Sequence, residues 1–339
     1  MTHRLPGAIV VIKPPDKDVA PRYLTQNREV SEMDSIGFVG LGAMGSQMAG
    51  RLLDSGYAVY GTNRTRSKAQ ELIDHGLEWR GTPREVAGAA DVTFSMVTDD
   101  SALDAITSGA NGVLAGLAER KVYVDMSTVS PHVSAALGAR VRATGAQMVD
   151  APVSGSIPQA RAGTLAIMVG GAPEAFATVE PVLRVLGQTV THVGTNGQGL
   201  LLKLAINISL AAQTLAFSEG LLLAGRGGID PHLAAEVMST SSIGSPMLKA
   251  RVPLLLDLPP HAWFDVAMTH KDIRLARKTA DELEIRLPSA KVLDETLTTA
   301  GELGYEHRDL AALYEVLGRL SAGTSHASLR PLQTDRRGA

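Results

Sequence analysis

The fold is decided by the stretch Ile36-Gly37-Phe38-Val39-Gly40-Leu41-Gly42-Ala43-Met44-Gly45, which a helix-forming run over residues 46–53 follows directly. An apolar strand ends in Gly40, and the spacing Gly40-x-Gly42-x-x-Gly45 leads into the helix, which is the expected context of a dinucleotide-binding fingerprint. Gly40 permits a tight turn, Gly42 lets the backbone approach a pyrophosphate, and Gly45 lets helix and strand pack closely. The N-terminus of the helix offers N–H groups to the phosphates. The stretch therefore predicts a nicotinamide dinucleotide site.

The end of the second predicted strand indicates which dinucleotide is bound. Residues 57–60 form that strand, and an NAD site usually has Asp or Glu about 20 residues past the glycines, where it holds the ribose hydroxyls. This chain has Asn63-Arg64-Thr65 instead. Arg64 can pair with a 2′-phosphate, and Asn63 and Thr65 can donate hydrogen bonds to it. The loop predicts NADP, with NAD left open as a second cofactor; the alternative is a solvated basic loop at a helix start.

The composition is that of a globular protein with about two domains. The chain has 339 residues, of which 45% are hydrophobic and 20% charged, and its formal net charge is −3. This charge gives no basis for a nucleic-acid or membrane partner. Cysteine is absent and the nine histidines are dispersed, so a disulfide, a cysteine nucleophile and a metal centre are not expected. Polar residues interrupt the apolar run 200–223 and no secretory signal is recognisable, so a cytoplasmic location is the default expectation.

Apolar patterning divides the chain into four parts. Residues 1–33 carry several prolines and little periodicity, which predicts a flexible extension, and 321–339 are predicted to be a flexible tail. Residues 34–196 alternate strands and helices, which predicts an α/β domain of the Rossmann type with a doubly wound, largely parallel sheet. Residues 197–320 predict an all-α domain, joined to the first by a long interdomain helix over 200–225. Because that helix is apolar nearly all round, we expect it to be buried on most sides, between domains or subunits.

Individual elements follow from local patterns. Thr82-Pro83-Arg84-Glu85 is a capping box with proline at the first helical position, so a helix should begin there. Further strands are predicted at 91–96, 122–125, 147–151, 164–169 and 190–193. Further helices are predicted to start at Asp230-Pro231 and to span 265–283, 288–301 and 310–320, with no strand in the second domain.

Lys203 and Asn207 are the candidate catalytic residues. They lie four residues apart at the head of the long helix, so they share one face. Burying an unpaired ammonium among Leu, Ala and Ile costs free energy, so a lysine at this position calls for a structural or functional explanation. One interpretation is a lysine that extends its charge to solvent at a helix end, with Asn207 as a packing residue. Beside a dinucleotide domain, the other is a general acid/base with an amide that positions it.

Two further segments are candidate binding elements. Asp150-Ala151-Pro152-Val153-Ser154-Gly155-Ser156 ends a strand and enters a loop, where hydroxyl and backbone donors can hold a small anion such as a carboxylate. A simple strand-ending turn is the alternative. Lys271-Asp272, in the second domain, adds another lysine, although taken alone it is typical of a charged helix face.

Together these motifs resemble the β-hydroxyacid dehydrogenase family, which includes 3-hydroxyisobutyrate dehydrogenase and the tartronate semialdehyde and glyoxylate/succinic semialdehyde reductases. The resemblance spans residues 34 to 318 and rests on four motifs in order: Gly40-Leu41-Gly42-Ala43-Met44-Gly45, Asp150 to Ser156, Gly199-x-x-x-Lys203-x-x-x-Asn207, and Lys271-Asp272. It implies an NAD(P)-dependent oxidoreductase that moves hydride between the nicotinamide and a small 3-hydroxy acid or its semialdehyde. It also implies that the all-α domain serves substrate binding and oligomerisation, in a homodimer or homotetramer without a metal.

The resemblance implies individual roles as well. Lys203 matches the family's catalytic residue, and Asn207 matches a substrate contact beside it. Ser154, Gly155 and Ser156 match the substrate loop, in which Ser154 and Gly155 are the implied contacts. Beyond the glycine motif and the Asn63-Arg64-Thr65 loop, the implied cofactor contacts are Val97, Thr98, Thr128 and Lys271. Two departures are visible. The loop after the third strand lacks the usual Leu-Pro, and Ser154-Gly155-Ser156 replaces Ser-Gly-Gly, which is nearer the NADPH-using reductase branch.

Three rival interpretations are open to comparison. Imine reductases share the architecture but generally carry aspartate or tyrosine where Lys203 stands. 6-Phosphogluconate dehydrogenase has a Lys-x-x-His-Asn pattern, whereas Ile206 occupies the histidine position here, and the chain is short for its large helical domain. A non-catalytic dinucleotide-binding module is expected to have lost the lysine. The retained Lys203 therefore favours the hydroxyacid dehydrogenase.

Overall fold

The computed structural model describes residues 35–322. The predicted extension 1–33 lies outside the described residues, as does the predicted tail except for its first two residues, where the last helix continues to Ser321. The first half of the chain alternates strands and helices. Its strands are β1 Ser35–Val39, β2 Ala58–Thr62, β3 Glu78–Trp79, β4 Val92–Ser95, β5 Val122–Asp125, β6 Gln147–Asp150, β7 Val153–Ser154, β8 Leu165–Gly171 and β9 Gly187–Gly194.

Helices connect these strands and then continue alone. In the first half they are α1 Ala43–Asp54, α2 Gln70–Asp74, α3 Pro83–Ala89, α4 Asp100–Thr107, α5 Pro131–Arg142, α6 Ile157–Ala162 and α7 Pro173–Leu186. In the second half they are α8 Gln198–Arg226, α9 Pro231–Thr240, α10 Pro246–Leu256, α11 Val266–Glu282, α12 Pro288–Glu302 and α13 Leu313–Ser321. At the predicted capping box, the Thr82 hydroxyl accepts the N–H of Glu85 and α3 begins at Pro83.

The strands form one sheet in the order β3-β2-β1-β4-β5-β6-β8-β7, with β9 paired to β8. Pairing is parallel from β3 through to β6 and between β8 and β9, and antiparallel where β8 meets β6 and β7. The chain order reverses between β1 and β4, and ligands of open α/β sheets bind at the carboxyl ends of strands at such a point. The sheet is therefore the predicted Rossmann type, and its crevice lies where β1 and β4 end.

Helix α8 joins the sheet to the helical half. Its buried residues Gly199, Leu200 and Leu204 lie at the end that meets β8, and its later turns pack against α9, α11, α12 and α13. The single chain leaves more of this helix exposed than the sequence predicts, with Leu201 39%, Leu202 41% and Leu223 77% exposed. Helix α8 is also long and apolar enough to cross a membrane, a property that it shares with core helices of soluble proteins.

Two features of the helical half differ from the sequence prediction. Helix α10 was not predicted, because Pro253 lies within it and its apolar residues follow no clear period. The predicted helix over 310–320 begins as a 3-10 turn, Leu310–Ala312, before α13. Within residues 197–322 the structure has no strand, and the single β-bridge there joins Asp265 to Asp309.

Candidate functional site

The glycine loop between β1 and α1 leaves room for a ligand at its second glycine. Gly40 has a φ of +96°, and a Cβ there would meet the Met96 carbonyl oxygen at 2.4 Å. A Cβ at Gly45 would lie 2.1 Å from the Gly40 carbonyl oxygen. A Cβ at Gly42 would meet nothing within 4 Å. The first and third glycines are thus required by the fold itself, whereas the second faces open space, as a close approach by a pyrophosphate requires.

The start of α1 is also free to bind an anion. No side chain caps the helix, and Gly42 and Ala43 are exposed while Met44 is half-buried. Helix N-termini present N–H groups and the positive end of the helix dipole, so this end suits a phosphate. The loop and the helix start therefore fit a dinucleotide, although they do not distinguish NAD from NADP.

In the loop after β2, one of the three predicted cofactor residues bonds within the protein and the other two are exposed. The Asn63 carbonyl oxygen accepts the N–H of Leu41 at 3.2 Å, and its amide nitrogen donates to the Thr65 carbonyl oxygen at 3.0 Å. Asn63 therefore holds the glycine loop against its own loop. Arg64 and Thr65 are exposed, and the Arg64 side chain makes no hydrogen bond or ion pair within residues 35–322. Arg64 is thus available for a 2′-phosphate, which the sequence predicts as its partner.

Replacing Arg64 with aspartate tests this assignment. We expect the substitution to weaken NADP binding by about 10- to 100-fold, because a charge-assisted hydrogen bond worth about 1.5–3 kcal/mol is lost and a like charge replaces it. NAD binding should change little, since the ribose hydroxyls carry no such charge. Quenching of tryptophan fluorescence by each dinucleotide measures both affinities. The matched control is Arg66→Asp, at an arginine whose Cζ atom lies 5.4 Å from the centroid of the Trp79 ring. A wild-type protein that binds NAD at least as tightly as NADP would contradict the assignment.

The loops after β4 and β5 meet the helical half at Lys271. The Val97 N–H donates to the Ser127 hydroxyl at 2.9 Å, which fixes the two loops against each other. Thr98 is exposed and bonds to the neighbouring Asp99 carboxylate. The Lys271 ammonium, on α11, donates to the Thr128 carbonyl oxygen. The structure therefore brings Val97, Thr98, Thr128 and Lys271 to one edge of the crevice, as their predicted cofactor role requires.

Asp272 links the lysines to Asn207. It is 2% exposed, and its Oδ2 accepts the Asn207 amide nitrogen at 2.5 Å. Its Oδ1 lies 2.9 Å from the Lys271 Nζ as an ion pair, without the alignment of a hydrogen bond. Sequence reasoning gave Asp272 no role, because a Lys-Asp pair on a helix is common at surfaces. Only the packing of α11 on α8 turns this carboxylate inward, toward the face that bears Lys203 and Asn207.

The environment of Lys203 favours proton transfer near neutral pH. Burial lowers the pKa of Lys203 to about 8, with a further lowering by the charge of Lys271 and an opposing rise caused by Asp272. An ammonium with a pKa close to the working pH can both give and take a proton. Asn207, one turn further on, is 1% exposed and is occupied by Asp272. The structure thus makes Asn207 a support for the carboxylate, and its contact with substrate stays a prediction.

The predicted substrate loop starts at β7. Ser154 pairs with Ala166 of β8 and keeps its hydroxyl free of bonds within residues 35–322. Gly155 is exposed with a φ of +131°, which a side chain would strain. Ser156 starts α6, and its N–H and hydroxyl both donate to the Gln159 side-chain oxygen at 3.0 Å. Ser154 and the Gly155 backbone are therefore the available donors, whereas the Ser156 hydroxyl is already engaged.

No group of three or more His, Asp and Glu residues within 35–322 is arranged to hold a metal ion. At the crevice, Lys203 and Lys271 lie with the buried carboxylate of Asp272, and the charge of Lys271 also acts on Asp99 and Asp125. Such a set can bind an anion and move a proton.

Family models match both halves of the chain. The model described as the NAD binding domain of 6-phosphogluconate dehydrogenase matches residues 35–194. The model described as NAD-binding of NADP-dependent 3-hydroxyisobutyrate dehydrogenase matches residues 197–317. The first match covers the sheet, and the second covers α8 to the first half of α13, with both lysines.

Individual proteins resemble the chain over most of its length. Glyoxylate/succinic semialdehyde reductase 2 (chloroplastic) of Arabidopsis thaliana is 34% identical, over 84% of this chain and 79% of the relative. 2-Hydroxy-3-oxopropionate reductase of Escherichia coli strain K12 is 34% identical, over 83% of this chain and 96% of the relative. The solved structure of Psf3 in complex with NADP+ and 2-OPP has a TM-score of 0.77 and 29% identity, over 83% of this chain and 99% of that one.

Proposed function

The chain belongs to the β-hydroxyacid dehydrogenase family, and we propose that Lys203 is its general acid/base and that Ser154 and Gly155 hold the substrate carboxylate. The matches confirm the predicted family and reaction class, an NAD(P)-dependent oxidoreductase acting on CH–OH groups of hydroxy acids. They do not favour the imine reductase or the non-catalytic module. The observation that carries the proposal is the half-buried Lys203 at the head of α8, whose pKa of about 8 reflects desolvation and the nearby charges of Asp272 and Lys271.

The residues of the crevice have different roles in the proposed reaction. A bound nicotinamide dinucleotide supplies the hydride for the carbonyl carbon, or accepts it from the carbinol carbon. In reduction, the Lys203 ammonium gives a proton to the substrate oxygen as negative charge develops there; in oxidation, the neutral amine takes the proton from the hydroxyl. Asp272 holds Asn207 and Lys271 in place and attracts the Lys203 ammonium. Lys271 fixes α11 to the Thr128 loop, which joins the helical half to the sheet at the edge of the crevice.

The proposed substrate is a small 3-hydroxy acid or its semialdehyde. A carboxylate matches the free Ser154 hydroxyl and the exposed Gly155 backbone. A screen of small hydroxy acids with NADP and NAD, and of semialdehydes with NADPH, followed by absorbance of the reduced cofactor, would identify it. A protein that turns over cyclic imines but none of these acids would overturn this substrate class.

The pH profile provides a separate prediction. Because burial lowers the pKa of Lys203 to about 8, kcat/KM for oxidation should rise through pH 8 and then level off, as the amine becomes a competent base. For reduction, kcat/KM should be level below pH 8 and fall above it, because the ammonium is the acid. Steady-state rates in both directions between pH 6 and 10 check the sign. An oxidation rate that falls through pH 8 would contradict the assignment.

We further propose that the exposed apolar surface of the helical half is a subunit interface of a homodimer or homotetramer. Leu223 at the end of α8, Ile229 in the following turn, and Leu233 and Val237 one turn apart on α9 are all exposed in the single chain. Large apolar side chains that are exposed together near one end of a domain are typical of association sites. Light scattering measures the state, and a monomer at micromolar concentration would contradict the proposal.

A further inference from the structure

Asp150 joins the substrate strand to the catalytic helix. It is the last residue of β6 and is completely buried. Its Oδ1 accepts the N–H of Gly197 at 2.7 Å, and its Oδ2 accepts the N–H of Leu200 at 3.1 Å. Gly197 is the N-cap of α8 and Leu200 belongs to its first turn, so one carboxylate satisfies two of the N–H groups that a helix start leaves unpaired. This cap comes from another strand rather than from the helix itself.

The helix has no side-chain cap of its own. Gly197 lacks a side chain and has a φ of +94°, so it offers the first turn nothing but backbone. Residues Ser, Thr, Asp or Asn normally fill this role at the N-cap. The position of the first turn of α8 is thus determined by a partner 47 residues earlier in the chain.

Two glycines make room for the carboxylate. A Cβ at Gly199 would lie 2.7 Å from Asp150 Oδ2 and 2.6 Å from the Met168 carbonyl oxygen. A Cβ at Gly170, on β8, would lie 2.7 Å from Asp150 Oδ1. The carboxylate is therefore enclosed between β8 and the first turn of α8, and any added methyl group must displace one of them. Few arrangements of the helix start are compatible with this enclosure.

The same carboxylate lies next to both predicted reactive elements. Ser154 follows Asp150 by four residues on the substrate side, and Lys203 follows Leu200 by three residues, almost one helical turn. A shift of about 1 Å in the relative position of reacting groups can reduce turnover 10²-fold. The distance between the substrate loop and Lys203 is therefore sensitive to the contact between Asp150 and α8.

We propose that Asp150 is a positioning residue for the reaction: by anchoring the Gly197 and Leu200 N–H groups, it sets the place of Lys203 relative to the Ser154 loop. The proposal rests on the proposed role of Lys203. The carboxylate carries the charge that a helix N-terminus attracts, and these two hydrogen bonds oppose the effect of burial, which raises the pKa of Asp150 to about 6. At neutral pH the carboxylate is ionised and both of its oxygens accept.

Two substitutions test the anchor from opposite sides. Asp150→Asn keeps the shape but places an amide NH₂ where one oxygen accepted an N–H, and Gly199→Ala keeps the carboxylate but pushes the helix away from it. Both should lower kcat by about 10- to 100-fold with NADPH affinity nearly unchanged. Both should also move the rise of oxidation activity above pH 8, because a displaced Lys203 is less desolvated. Asp230→Asn, at the exposed cap of α9, is the matched control and should leave kcat and pH profile unchanged.

Hydrogen exchange gives a readout that does not depend on the chemistry. In the wild-type protein, the amides of Gly197 and Leu200 should exchange slowly, and in both variants the peptide covering 195–202 should exchange faster than in Asp230→Asn. Wild-type kcat and pH profile in Gly199→Ala or Asp150→Asn, or fast exchange of the wild-type peptide, would overturn the proposal. If Lys203→Ala keeps its activity, the proposed catalytic role of Lys203 is wrong. If Lys203→Ala is inactive while Asp150→Asn is fully active, the role of Lys203 stands and only the proposed positioning role of Asp150 is wrong.

Discussion

Lys203→Ala should lower kcat by about 10²–10⁴-fold, the usual contribution of a general acid or base. The loss follows because no other group on α8 that faces the crevice can exchange a proton near neutral pH, Asn207 being an amide already bonded to Asp272. Cofactor affinity should change little, since the glycine loop and the β2 loop lie on the other half of the chain. Steady-state kinetics with the best substrate of the screen, together with fluorescence titration of NADPH, measure the two quantities.

Two controls separate a chemical loss from a folding defect. Lys203→Arg should not restore turnover, because a guanidinium hardly deprotonates at usable pH. The melting temperature of Lys203→Ala should equal or exceed that of the wild type at pH 7. The pKa of Lys203 is lower in the folded protein than in the unfolded chain, so the folded state disfavours the charged form and stability rises with pH between about 8 and 10.5. Near-wild-type turnover in Lys203→Ala would contradict the proposed role of Lys203 as the general acid/base.

The sequence predicted those parts of the fold that depend on local pattern. The strand, turn and helix of the glycine motif are dictated by steric demands of Gly40 and Gly45, which the structure shows directly. The parallel pairing of the first strands follows from their alternation with helices. The long helix was recognisable from its composition, but its exposure was not, because Leu223 looks the same in a buried and in an exposed position.

What the sequence could not predict depends on contacts between distant segments. Asp272 is 65 residues from Asn207, and its inward orientation is decided by the packing of α11 on α8. Asn63 was predicted to donate to a phosphate, whereas its amide bonds the chain on both sides, to Leu41 and Thr65. Asp150 was quoted as part of a loop motif, and its contact with α8 became visible only in three dimensions. The type of each residue indicated which hydrogen bonds or charges it could offer, whereas its actual partner was determined by the tertiary structure.

A buried ion pair in the helical half gives the prediction with the largest expected effect on stability. Arg251 of α10 and Asp309 are 6% and 0% exposed, and their Nη1 and Oδ1 atoms lie 2.9 Å apart. Asp309 Oδ2 also accepts the N–H groups of Trp263 and Phe264 at 2.8 and 3.2 Å, just before α11. Asp309→Ala should therefore lower the free energy of unfolding by about 3–5 kcal/mol, because the buried Arg251 charge and the backbone N–H groups of Trp263, Phe264 and Ala311 lose their acceptor. Urea denaturation measures it.

Comparison of both partners of this ion pair shows which of its contacts matters most. Arg251→Met should cost less than Asp309→Ala, because the aliphatic part of the side chain is kept and Asp309 retains the backbone donors of Trp263, Phe264 and Ala311. The partly exposed pair Glu180–Arg184, one turn apart on α7, is the matched control, and Glu180→Ala should cost about 0.3–0.5 kcal/mol. If Arg251→Met cost as much as Asp309→Ala, the ion pair itself would contribute more than the hydrogen bonds from Asp309 to the backbone before α11.

Those hydrogen bonds should also matter for the site, because α11 carries Lys271 and Asp272. Their loss should lower turnover in the fraction of Asp309→Ala that remains folded. An unchanged kcat in that fraction would show that the start of α11 does not affect the site.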